Sequence, residues 1–298
     1  MSPPIQPPIQ PLIQPLIQPL IQPKRAWANL HTHTFRCQHA SGDVVDYARV
    51  AQAGGMAVLG MTDHAPLPDG RWDDHRMRDD QLAGYIAAVR GCRIPGVQVL
   101  LGLECDWAPE FATYYRDVIL GHHGFDYLIA GCHFTPHGGE WVSSFDELDS
   151  PARLRAYAKQ AVATMASGLF AFLTHPDLFG VCNPRWTADT AACARDICAA
   201  SVDLGVPLEL NSYGIRKASV AGEDGPRPGY PWPKFWEIAA EMGARVVLSS
   251  DAHRPQDLFA GVDQIVALRD RLGLIEAELP WLSKLAKLTS PARPTTSA

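Results

Sequence analysis

With 298 residues, 47% of them hydrophobic and 19% charged, the chain is long enough to bury a full core as one large domain. A formal net charge of -6, with Lys and Arg scattered rather than run together, argues against a nucleic-acid footprint and remains compatible with a small anionic substrate. Seven cysteines without paired spacing argue against a secreted disulfide framework and for a reducing cytoplasm, and no apolar run reaches the roughly 18 residues of a membrane span.

Residues 1–26 stand apart: Pro-Pro-Ile-Gln occurs twice and Pro-Leu-Ile-Gln three times, from Pro3 to Gln22. Proline at every repeat removes backbone donors and blocks helix, so this tail is expected to be extended, outside the core and dispensable. Beyond it, short apolar runs alternate with amphipathic stretches. A strand over 26–30 runs into His31 and His33, which leave it on the same side, with His39 close behind. Ser41-Gly42-Asp43 starts a helix over 44–53 that Gly54-Gly55 closes. The next strand, 56–62, leads into Asp63-His64; a polar, aromatic loop (65–79) and a helix (80–90) precede strand 97–103, which Glu104 follows at once. Strand 125–132 ends at His133, and helix 151–167 feeds strand 169–174, which ends at His175. Helix 188–204 feeds strand 206–211, helix 233–242 feeds strand 244–250, and that last strand runs into Asp251-Ala252-His253. Helices after Gln256 and a Pro/Ser/Thr tail over 289–298 close the chain, leaving 27–288 as the folded domain.

Seven strand-then-helix units with nearly continuous apolar strands imply a parallel sheet covered by helices, and without a composition break they suggest a barrel rather than two domains. Six of the seven strands deliver a ligand-type residue at or just past the carboxyl end, the face where barrels build active sites. The set is His31, His33, His39, His64, Glu104, His133, His175, Asp251 and His253. Seven imidazoles and two carboxylates suit two to three divalent transition metals such as zinc, iron or manganese, and nine ligands exceed one site. Clustered metals favour phosphate-ester hydrolysis, because they neutralise phosphoryl oxygens and activate water without a protein nucleophile. Asp63 is read as a partner that orients an imidazole.

These residues carry a resemblance. His-x-His followed after five intervening residues by His, then Thr-Asp-His, Gly-Leu-Glu, Gly-Cys-His-Phe, Thr-His-Pro and Ser-Asp-Ala-His, in this order, resemble the polymerase and histidinol phosphatase (PHP) superfamily. His-Thr-His-Thr-x-x-Cys-x-His-Ala-x-Gly, with Thr-Asp-His-Ala-Pro and Gly-Leu-Glu-Cys-Asp, is closer to its histidinol-phosphatase branch, over about residues 29–270. The resemblance implies a distorted (β/α)7 barrel, like a TIM barrel, with a trinuclear metal site at the C-terminal face of the strands. It further implies one metal on His31, His33, Glu104 and Asp251, a second on His39, His64 and His253, and a third on His133 and His175 with Glu104 bridging. Asp251, His253 and Glu104 would then be central to catalysis. The implied reaction is hydrolysis of L-histidinol phosphate to L-histidinol and phosphate, a step of histidine biosynthesis.

For the substrate, Arg216 in Asn211-Ser212-Tyr213-Gly214-Ile215-Arg216-Lys217 is the first candidate phosphate clamp, against the alternative of a solvated loop arginine; Arg185 and Arg254 follow. Trp72 and Trp107 are expected to pack rather than to line the pocket, His75, His122, His123 and His137 to lie on the surface, and Cys37, Cys105 and Cys132 to be small packing residues. Two other functions compete: a PHP-type phosphoesterase acting on another small phosphate or a nucleotide, and a metal-binding scaffold without catalysis. The scaffold would be marked by a broken ligand set, and none of the nine positions is broken. Expected partners are small phosphate esters, without nucleic acid or membrane, and the oligomeric state is left open.

Overall fold

In the computed structural model, which describes residues 28–282, four parallel strands form the first half of a curled sheet. They are β1 (Ala28–Asn29), β2 (Val58–Met61), β3 (Gln98–Asp106) and β4 (Tyr127–Gly131), with Ala28 opposite Val58, Val58 opposite Gln98 and Gly102 opposite Tyr127. A hairpin of β5 (Phe134–His137) and β6 (Glu140–Ser143) follows. The second half is parallel as well: β7 (Leu208–Asn211), β8 (Arg245–Ser249) and β9 (Ile275–Glu276). Between the halves, Leu173 bridges Ala130 on one side and Leu208 on the other, and a parallel bridge from Thr32 to Ala252 joins the start of the sheet to its end.

The helices fall where their punctuation puts them. Asp43 caps α1 (Val44–Ala53) in a reciprocal box with Asp46. Helix α2 is Asp79–Gly91, and Ser150 with Pro151 at the first helical position opens α3 (Pro151–Ala166). Thr187 caps α4 (Ala188–Leu204), which Gly205 ends in the left-handed conformation. A single turn, α5 (Tyr213–Arg216), precedes α6 (Pro233–Met242) and α7 (Val262–Leu272).

Two apolar layers pack the helices onto the outside of the sheet: one around α1 and α2, the other around α3, α4 and α6. A third, smaller cluster lies within the curl, built from Leu30, Leu100, Tyr127, Ile129, Phe172 and Val247. Burying each such side chain contributes roughly 1.5–3 kcal/mol, and together they form an apolar floor. The Tyr127 hydroxyl donates to the Leu30 carbonyl at 2.8 Å. Its ring needs Gly60 opposite, where an added Cβ would lie 1.9 Å from the Tyr127 oxygen.

The expected helices 44–53 and 188–204 keep their bounds, and the strand expected over 26–30 is the two-residue β1. The expected strand 169–174 is not regular: only Leu173 bridges, although Ala171 and Thr174 donate to the Leu128 and Ala130 carbonyls. His175 next in line takes φ 28°, which ends the extended geometry. The hairpin and a wide helical segment, Tyr114–His122, were not anticipated. The repeat tail and the outer domain boundaries fall outside the described residues.

Candidate metal centre

His31 and His33 follow β1, and their side chains enter the curl from above the apolar floor. His31 Nε2 lies 3.0 Å from His33 Nε2, 3.2 Å from Glu104 Oε2 and 3.5 Å from Asp251 Oδ1. His33 Nε2 lies 3.4 and 3.2 Å from the same two oxygens. Ligands about 2.0–2.1 Å from a tetrahedral cation would stand about 3.3–3.4 Å apart, so the two imidazole nitrogens have coordination-shell spacing to each other and to each of the two oxygens. Asp251 Oδ1 is buried without a hydrogen-bond partner, an acceptor facing two imidazole nitrogens. A cation satisfies that arrangement, and a buried acceptor left unsatisfied costs free energy.

Glu104, at 1% exposure, divides its two oxygens. Oε2 faces His31, His33 and His64, whose Nδ1 is 3.2 Å away; Oε1 faces His175 Nε2 at 3.1 Å and His133 Nε2 at 3.5 Å. On the opposite flank, His39 Nε2 and His253 Nε2 are 3.0 Å apart, and one ligand atom each from His33, His64 and His253 lies within 4.8 Å of the others. All nine sequence-predicted ligands are thus brought into one cluster.

Electrostatics tell the same story. Burial acts to raise the Glu104 carboxyl, but His31, His133 and His64 outweigh it and hold it well below the usual range. Asp251 is likewise held low against burial, chiefly by His31, with His253 and His33 adding to it. Burial would depress His31, yet Asp251, Glu209 and Glu104 raise it well above an ordinary histidine. Burial and neighbouring imidazoles, His33 among them, push His64 and His253 well below it, which favours the neutral form that a metal ligand needs.

Buried partners aim the rings. Glu209, on β7, sets Oε1 2.7 Å from His31 Nδ1, while its Oε2 accepts from the His175 amide at 2.9 Å and from Asn211 Nδ2 at 2.8 Å. Asp106, at the end of β3, accepts from the His133 amide at 2.9 Å, sets Oδ2 3.1 Å from His133 Nδ1, and is paired with Arg76 at 2.7 Å. Backbone carbonyls take the same role for His39 (Cys37, 2.7 Å) and His253 (Asp251, 3.1 Å). Each contact ties down Nδ1 and leaves Nε2 for the centre. His175 and Asp251 also carry positive φ, 28° and 48°; such backbone costs about 1–3 kcal/mol per residue and concentrates at functional sites.

Other expectations are met unevenly. Asp63 is bonded to the Thr34 amide and hydroxyl, and the imidazole it faces is His33, 4.0 Å away, not its neighbour His64. The Arg216 fork is occupied: one terminal nitrogen donates to the Ala260 carbonyl (2.8 Å) and Ser212 hydroxyl (3.1 Å), the other to the Ser250 (2.7 Å) and Asp251 (3.3 Å) carbonyls. Arg185 and Arg254 are exposed, with no side-chain hydrogen bond or ion pair among the described residues. Trp72 stacks on Phe134 at 3.8 Å and Trp107 packs edge-on against Phe170, so both pack. Of the remaining histidines, His75 and His122 are exposed, and His123 and His137 half-buried. Cys37, Cys105 and Cys132 are buried, and burial pushes all three thiols up; Cys37 also lies within 4.8 Å of ligand atoms of His39 and His253.

Glu209 and Asp106 were not singled out from the sequence. A signal existed for Glu209: a carboxylate inside Leu208-Glu209-Leu210, in a strand apolar on both faces, is rarely buried unless paired.

The PHP domain model matches residues 29–213. A probable histidinol-phosphatase of Deinococcus radiodurans is 34% identical over 80% of this chain and 92% of its own length. A probable phosphatase of Shewanella amazonensis is 26% identical over 80% of this chain and 81% of its own. Among solved structures, histidinol phosphate phosphatase from Lactococcus lactis, complexed with zinc, L-histidinol and phosphate, superposes with a TM-score of 0.63. It is 16% identical, covers 84% of this chain and 95% of its own, and is a likeness of fold.

Proposed function

This chain belongs to the PHP-domain family, and from that membership we propose that it is a metal-dependent phosphomonoesterase whose substrate is L-histidinol phosphate. The observation that carries the reading is the His31–His33 imidazole pair, 3.0 Å apart and with each Nε2 3.2–3.5 Å from Glu104 Oε2 and from Asp251 Oδ1, while Glu104 turns its second oxygen toward His133 and His175. Two to three divalent metals are proposed, of which zinc accords with the zinc-complexed solved relative. His31, His33, Glu104 and Asp251 would hold the first, His39, His64 and His253 the second, and His133 and His175, with the second oxygen of Glu104 beside them, the third. The bridges through Leu173 and Thr32–Ala252 support reading the curled sheet as the seven-unit barrel, with this rim as its C-terminal face.

Bound there, divalent cations neutralise phosphoryl oxygens, lower the pKa of water and stabilise the leaving oxygen. The protein's own part is orientation. Glu209 and Asp106 fix His31 and His133 through Nδ1, Asn211 ties Glu209 to Asp251 by a second bond of 3.1 Å, and Arg216 holds the Asp251 backbone in place. The substrate assignment draws on the name of the Deinococcus relative and on the ligands of the Lactococcus structure.

A phosphate-release panel tests it. Metal-loaded enzyme should give its highest kcat/KM with L-histidinol phosphate, ahead of mononucleotides and sugar phosphates, and elemental analysis should find about two to three metals per chain. A better mononucleotide or sugar phosphate would overturn the substrate, and a metal-loaded protein without hydrolysis of any ester would overturn the activity.

A further inference from the structure

Three aromatic rings stand against the cluster, each packed on a different candidate ligand. Tyr213 stacks on His253 with centroids 4.5 Å apart, Phe145 on His133 at 5.8 Å, and Tyr230 leans on His175 at 5.8 Å. The same three rings converge on one side chain. Lys217 Nζ lies 4.6 Å from the Tyr213 centroid, 4.8 Å from Phe145 and 5.8 Å from Tyr230.

The residue reaches solvent, while its ammonium, sheltered by the three rings, has no hydrogen bond and no carboxylate within 4.0 Å among the described residues. Ring faces hold a cation without using its three N–H donors. Burial against the rings lowers its pKa, and the carboxylates that oppose this are Asp251 and Glu104, both of the cluster. Its neighbour Arg216 differs in this respect, with both terminal nitrogens engaged by carbonyls and a hydroxyl. With Glu104 and Asp251 neutralised by cations, an unpaired ammonium on rings that pack against the cluster's histidines would attract an anion rather than a carboxylate of its own chain.

We propose that Lys217, carried on the Tyr213, Phe145 and Tyr230 rings, is the side chain that grips the substrate's phosphate by a non-bridging oxygen. The proposal rests on the phosphatase reading above but not on the identity of the alcohol, since every phosphate ester offers that oxygen.

The test uses inorganic phosphate as probe, titrated calorimetrically into the full-length metal-loaded chain, with Lys217→Met and Lys217→Arg beside the wild type. Lys217→Met should keep its metal content and thermal midpoint while phosphate binds at least about tenfold more weakly, the scale of one charge-assisted hydrogen bond. Lys217→Arg should recover part of the loss, and KM for whichever ester is hydrolysed should rise with the phosphate Kd. Undiminished phosphate binding by Lys217→Met would overturn the assignment. So would loss of metal from that variant, which would make Lys217 a support of the centre, and so would a wild type that does not bind phosphate. Lys217-dependent phosphate binding without L-histidinol phosphate hydrolysis would instead leave this proposal standing and remove only the substrate named above.

Discussion

Glu209 makes no contact that chain order could announce, because its partner His31 lies 178 positions away. Its consequence is nevertheless specific. A carboxylate on Nδ1 fixes the tautomer and raises the basicity of a ligating imidazole, and losing such a partner typically costs about 10–100-fold in metal affinity. Glu209→Gln should therefore bind metal more weakly by about that factor in a chelator competition, with its circular dichroism unchanged; wild-type affinity would remove Glu209 from the centre. The nine candidate ligands were legible because each directly follows an apolar run, or stands within a few residues of one that does. What the sequence conceals at this scale is direction. Arg216 has the residue type of a phosphate clamp, yet Ser250, Asp251 and Ala260 present carbonyls to its fork. Only the third dimension brings them there, and the next residue, Lys217, is left free.

Among the elements, α1 shows how a local signal reaches the site. Asp43 caps the helix, and Arg36, between His33 and His39 in the chain, donates to its two oxygens at 2.6 and 3.1 Å. Burial would raise the Asp43 carboxyl, but the bonds from Arg36 and the Val44 amide hold it below its ordinary value. A carboxyl lowered by folding stabilises above the ordinary aspartate range and stops doing so as pH falls through it. Asp43→Ala should cost about 1 kcal/mol in urea unfolding at pH 7, the usual worth of such a cap, and less at pH 3. An equal cost at both would mean that the charge is irrelevant. Helices were legible through caps of this kind, Asp43 for α1 and Thr187 with Gly205 for α4. The hairpin was legible too, though it went unread: Gly138 and Gly139 both take positive φ, as a two-residue turn between β5 and β6 demands. The segment ending at His175 was not, since its apolar run looks like any strand and its break lies in a backbone angle.

At the scale of the whole molecule, the centre joins the two ends of the sheet. His31 and His33 come from its first strand and Asp251 and His253 from the end of β8, and the backbone meets there through the Thr32–Ala252 bridge, with His33 and Ser41 amides donating to Ala252 and His253 carbonyls at 3.0 and 2.9 Å. A metal bound by the native state alone adds stability by mass action, about 4 kcal/mol at a thousand times its dissociation constant. If Asp251 holds one of these metals, its removal would leave Asp251 Oδ1 a buried acceptor without a partner. That cost falls on the seam first, because β2 and β3 pair over four register positions and rest on the α1 and α2 layer. Chelation should therefore lower the thermal midpoint and speed amide exchange at His33 and Ser41 well before it does so in β2 and β3. Exchange that rises evenly along the sheet, or not at all, would mean that the metals sit on a fold already closed without them, rather than helping to close it.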